Sequence, residues 1–275
     1  VTITSRRRAY WLFFILSLVV LLTSLVLALP VLFGHPTGRL RDYLEAAPRL
    51  ALFGSGLGSV PASIVGGLGL SLFSSAVLLA VLVSFRKTGS QEIFFFAFWV
   101  LALSFEAGRI LVLRLSTGPW PDSWASIATR FVLATRFAGY GAFFLAGLYA
   151  SGFRGEHPGR SLLVVLALGL ALVSALPLDS GLHDDTLLVR SGYGRSETIA
   201  AAVLGLLTAA SMLVGASVTA EPGFRAVAAG SLALLAGQQL ALRAWHPLLL
   251  LLAFLLLAVG ARLFISRLHA YYLWQ

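Results

Sequence analysis

Cysteine is absent from this 275-residue chain, lysine occurs once, and charged residues make up only 11% of it. Without cysteine there are no disulfides, no thiolate nucleophiles and no Cys-ligated zinc or iron-sulfur centres. The single lysine, Lys87, belongs to a polar turn between apolar runs, so a Schiff base inside a core helix is excluded. Acidic residues are scarcer than basic ones, 11 against 20, and only Glu106 stands well inside an apolar run. The net charge of +9 does not point to nucleic acid, because the basic residues are scattered and form no stripe with interleaved aromatics.

What fills the chain is hydrocarbon: 59% of residues are hydrophobic and the mean hydropathy is +0.91, outside the range of water-soluble domains of this size. Apolar segments lie near 9–33, 61–85, 92–114, 126–150, 161–178, 197–220, 224–244 and 247–268. Each is long enough to cross a hydrocarbon core about 30 Å thick. The expected fold class is therefore an all-α integral membrane protein, a polytopic bundle of about eight transmembrane helices forming one transmembrane domain over 1–275. The first segment follows "SRRR" but is longer than a signal-peptide core, and it is read as a retained span. A turn is expected at "RAWHPLLL", where Pro247 separates the last two helices.

Basic residues on alternate sides of these segments set an orientation. One side holds Arg6, Arg7, Arg8, Arg86, Lys87, Arg154, Arg160, Arg225, Arg262 and Arg267; the other holds Arg39, Arg41, Arg49, Arg190 and Arg195. Ten against five predicts both termini in the cytoplasm, with a bacterial inner membrane as the expected location. Tyr10, Trp11, Trp120, Trp124 and the "HAYYLWQ" end suit the interface. An amphipathic patch over 39–53 suits an interfacial helix or an irregular loop, and no internal repeat is visible.

Charges inside the segments carry the functional question, because each costs free energy in hydrocarbon unless compensated. Within "LALSFEAGRILVLRL", Glu106 and Arg109 are spaced i, i+3 and can pair on one helix face. At 1.5 Å per residue Arg109 lies roughly 7 Å and Glu106 roughly 12 Å below the outer end, while Arg136 lies roughly 15 Å down the next helix. Arg130, Arg243, Gln238, Gln239 and Tyr140 fall toward the same outer half. One reading has Arg114, Arg130 and Arg243 snorkel to headgroups, with the glutamines and Tyr140 joining helices. The other gathers Glu106, Arg109, Arg130, Arg136, Tyr140, Gln238, Gln239 and Arg243 into a pocket. One carboxylate cannot neutralise four arginines, so that pocket would bind an anion.

Other chemistry finds little support. "HDD" at 183–185 offers an imidazole and two carboxylates on adjacent positions, which do not converge by themselves, and no metal is expected. The H-E-x-x-H arrangement of metalloproteases is absent, "FEAGR" lacks the paired glutamates of CAAX-type membrane proteases, and "GLGS" at 56–59 has no matched histidine. The glycine-rich stretches are not nucleotide loops, and no cofactor is implied.

The expectation is a sensor or permease-like protein taking an anionic small molecule or lipid headgroup in the arginine-rich pocket. Its partners would be membrane lipids and a cytoplasmic protein, with no nucleic acid. The alternative is a membrane-embedded transferase or hydrolase acting on a lipid-linked anion, with Glu106 or His246 as base. No catalytic residue is assigned.

Overall fold

The computed structural model describes residues 3–33, 59–85, 90–153, 157–183, 186–192, 194–218, 223–244 and 246–273. The patch over 39–53, most of "GLGS" and both aspartates of "HDD" lie outside the described residues. Helix α1 spans Ile3–Phe33 and α2 spans Ser59–Ser84. The third apolar segment is broken in two: α3, Gln91–Ser104, leads through a 3-10 turn, Phe105–Ala107, into α4, Gly108–Thr117. Next come α5, Asp122–Ala150, and α6, Pro158–Ser174. A short antiparallel hairpin, β1 Leu178–His183 with β2 Val189–Ser191, precedes α7 Gly194–Val218, α8 Gly223–Arg243 and α9 Pro247–Leu273.

Local chemistry sets several of these ends. The Ser90 hydroxyl accepts the Ile93 N–H and caps α3, with Glu92 in the positive first turn. The Gly118 N–H closes α4 on the Arg114 carbonyl, and Pro119 follows. Pro158 stands in the first turn of α6, where its missing N–H costs no bond. The expected span 161–178 is corrected here: the helix runs Pro158–Ser174, because Pro177 disfavours helical backbone before it, and Leu178 opens β1 instead. At the last turn, His246 Nδ1 accepts the Leu248 N–H, so α8 and α9 are separate helices.

Six helices are long and apolar enough to cross a membrane: Arg6–Pro30, Ala62–Ser84, Gln91–Thr117, Asp122–Ala150, Thr198–Val218 and Pro247–Tyr271. Helix α6 is shorter, and α8, with Gln238 and Gln239, is not among them. Leu12, Leu22 and Val26 on α1, Leu163 and Leu168 on α6, and Leu248 and Leu251 on α9 point outward and exposed. So much exposed apolar surface would aggregate in water and suits hydrocarbon.

Helix α5 is the central pillar, packed by α3, α4, α6 and α7, while α8 and α9 form a tight antiparallel pair. Glycines make that pair possible: a methyl group on Gly230 would sit 3.0 Å from the Gly260 carbonyl oxygen, and one on Gly237 2.8 Å from that of Ala253. The core between α3, α5 and α9 is aromatic. Trp99 stacks on Phe143 at 4.6 Å and Phe96 on Phe264 at 4.3 Å between ring centres. A second, smaller cluster lies at the hairpin end, where Leu187 is buried against Ala28, Ile64, Ile110 and Leu113. Leu187 holds a positive φ of 68°, a strained conformation for a branched side chain that its burial offsets.

Candidate functional site

The break in the third helix places the charges. Through Phe105–Ala107 the ladder tightens to 3-10 bonding, and the Gly108 N–H reaches back to Phe105 and Glu106. Such turns inside a long helix are uncommon and re-aim the side chains they carry. Glu106 thereby turns into the bundle toward α5. Its carboxylate is gripped by Arg136, whose Nε donates to Oε1 at 2.6 Å and Nη2 to Oε2 at 2.7 Å. This two-point fork on a carboxylate is the strong arginine geometry. Arg109 donates from Nη2 to the same Oε2 at 3.1 Å and from Nε to the Glu106 main-chain carbonyl at 3.0 Å.

All three side chains are buried: Glu106 is 1% exposed, Arg109 0% and Arg136 3%. Among the described residues, two guanidiniums share one carboxylate, a local excess of positive charge. Part of it meets the end of α8, where Arg109 Nη1 donates to the Leu242 carbonyl at 3.4 Å. Carbonyls in the last turn of a helix carry partial negative charge, so this end is the favourable one for a cation. Gly66 and Gly67 of α2 let the parts close up. A methyl group on Gly66 would lie 2.9 Å from the Ala241 carbonyl oxygen, and one on Gly67 3.4 Å from the Glu106 carbonyl oxygen and the Arg109 side chain.

Next to the cluster, α8 is tied to α3 and α5 by neutral polar pairs. Trp99 Nε1 donates to Gln238 Oε1 at 3.2 Å, and Gln239 Nε2 donates to the Tyr140 hydroxyl at 2.5 Å. These are helix-to-helix bonds made where the bundle would otherwise hold unsatisfied amides. Toward the hairpin, Ile110 and Leu113, which follow Arg109 on α4, pack with Leu187 in a buried apolar cluster. The hairpin is pinned to α5 by the Val189 N–H on the Thr129 hydroxyl at 3.1 Å.

Of the sequence candidates, Glu106, Arg109 and Arg136 meet directly, and Tyr140, Gln238 and Gln239 flank them. Arg130 and Arg243 do not join the charge cluster. Arg130 Nη1 donates to the Val173 and Ser174 carbonyls at 2.8 and 3.1 Å and so caps α6 from the neighbouring helix. Arg243 is exposed and donates to the Thr198 hydroxyl of α7. Among the described residues the cluster therefore joins two arginines, not four, to Glu106. Sequence reasoning missed Trp99 and the Leu242 carbonyl as partners, since neither is distinguished by type or spacing. Among the described residues no group of His, Asp and Glu could hold a metal ion. No family model matches this chain, and no curated protein or solved structure matches it either.

Proposed function

We propose that the chain is a multi-pass protein of the bacterial inner membrane, with eight crossings and both termini cytoplasmic, that binds an anionic small molecule or lipid headgroup as a sensor or permease-like protein. The observation that carries the reading is the buried cluster itself, in which, among the described residues, the two guanidiniums of Arg109 and Arg136 meet the one carboxylate of Glu106. Charges at membrane depth are costly, and sites that keep them unbalanced suit a ligand of the opposite sign. At 3.4 Å the bond from Arg109 to Leu242 is long for N–H···O, so an incoming anion exchanges it at small cost. Ile110 and Leu113 follow Arg109 on α4 and pack against Leu187 of the hairpin, so an anion entering from that side would move the hairpin. A sensor would couple that movement to a cytoplasmic partner, and a permease would open the same residues alternately to each side.

The experiment is ligand-dependent thermal stability of the purified protein in neutral detergent against inorganic phosphate, a dicarboxylate and glycerol phosphate. At least one should raise Tm in the parent protein, and Arg136→Ala should abolish that rise. No response in the parent, or an unchanged response in Arg136→Ala, would reduce the cluster to a structural ion pair.

A further inference from the structure

The bundle end opposite the hairpin holds polar groups that the charge cluster does not use. Arg6 and Tyr10 stand four residues apart on α1 and share a face. They lie at the start of the apolar span Arg6–Pro30, yet Arg6 is only 8% exposed and Tyr10 3%. Among the described residues neither Arg6 Nη1 nor the Tyr10 hydroxyl has a hydrogen-bond partner. Their neighbours Arg7 and Arg8 point outward and are exposed.

The surroundings explain the burial, and among the described residues none accepts a hydrogen bond from Arg6 Nη1 or the Tyr10 hydroxyl. Tyr10 belongs to a buried cluster with Phe13 and Phe85. Phe13 meets the rings of Phe94 and Phe98, and Phe85 meets His269 edge-on. Glu92 acts electrostatically on Tyr10, as does Arg6, and its Oε2 accepts from the Ser90 hydroxyl at 2.6 Å, but it makes no hydrogen bond to Arg6 Nη1 or the Tyr10 hydroxyl. A guanidinium N–H and a phenol O–H, both desolvated, call for a shared acceptor, and the positive charge calls for an anionic one. At the first turn of a membrane span, the anionic acceptor at hand is the phosphate of a headgroup.

We propose that Arg6 and Tyr10 form a phosphate-binding site at the α1 end of the bundle, separate from the Glu106 cluster, which an anionic phospholipid occupies from the membrane. The recognition is of a phosphate oxygen, which inorganic phosphate shares. The site shares the membrane setting and an anionic ligand class with the function proposed above, but none of its residues. Purified protein in neutral detergent, titrated with phosphatidylglycerol, phosphatidylcholine or inorganic phosphate while Tm is followed, tests it. Phosphatidylglycerol should raise Tm in the parent protein and in an Arg7→Gln, Arg8→Gln double variant, with phosphatidylcholine far weaker. Tyr10→Phe keeps the ring and its packing, so it should fold; its apparent affinity, and that of Arg6→Gln, should fall about tenfold, the loss of one charge-assisted hydrogen bond. A phosphate response that depends on Tyr10 in the same way would support the site and make free phosphate a ligand too. Equal responses in parent, Tyr10→Phe and Arg6→Gln, or none in the parent, would overturn it. Arg136→Ala should keep the Tyr10-dependent part of the phosphatidylglycerol response, so the two sites fail or stand separately.

Discussion

Glu106 is the residue on which the charge balance turns, because among the described residues it is the carboxylate that pairs with both Arg109 and Arg136. Replacing it by Gln leaves two buried guanidiniums facing each other across a neutral amide. Removing one partner of a buried ion pair costs about 3–5 kcal/mol, so Glu106→Gln should lower stability by that order. Arg136→Ala leaves a neutral Glu106–Arg109 pair and removes the surplus charge, so its loss should be smaller. Chemical denaturation in a fixed detergent ranks the two, and the reverse order would mean that the Arg136 fork matters more than charge balance. At this scale the sequence was informative where spacing and depth decide: Glu106 with Arg109 at i, i+3, and Arg136 at a similar level on the next helix. It was silent on Arg130 and Arg243, whose partners, the carbonyl end of α6 and Thr198 of α7, come from the tertiary fold.

Among the elements, α2 decides how closely the charged break can be packed. Its Gly66 leaves no room for a methyl group beside the α8 backbone at Ala241. Gly66→Ala should therefore push α2 and α8 apart and destabilise by about 1–3 kcal/mol. Gly159, in the first turn of α6, has open space around it, and Gly159→Ala should be neutral or slightly stabilising. Thermal unfolding of the two variants side by side checks the contrast; equal losses would remove the packing argument. Helix positions were legible because the apolar runs are long and bounded by proline, glycine and arginine. The 3-10 turn was not, since "SFEAG" contains no proline and the break arises where Glu106 turns to Arg136. The β hairpin was hidden too: its strands are short, and three apolar residues, Leu187, Leu188 and Val189, are too few to mark a buried segment in the sequence.

For the whole molecule, apolar faces point outward while the buried charges of Glu106, Arg109 and Arg136 sit within a largely apolar, aromatic interior. The antiparallel pairing of α8 and α9 makes the turn at His246 a reversal of direction, which keeps the proposed number of crossings even. A reporter fused to the C-terminus should read cytoplasmic; a periplasmic signal with the N-terminus inside would require an odd number. The central claim, that the Glu106 cluster holds a positive charge for an anion, is tested most directly by the sign of two mutational effects on one binding measurement. Equilibrium binding of the anion that stabilises the parent protein should be retained or tightened in Glu106→Gln, which raises the local positive charge, and lost in Arg136→Ala. Equal loss in both, with each variant shown to be folded, would contradict the account and leave the cluster as a structural ion network.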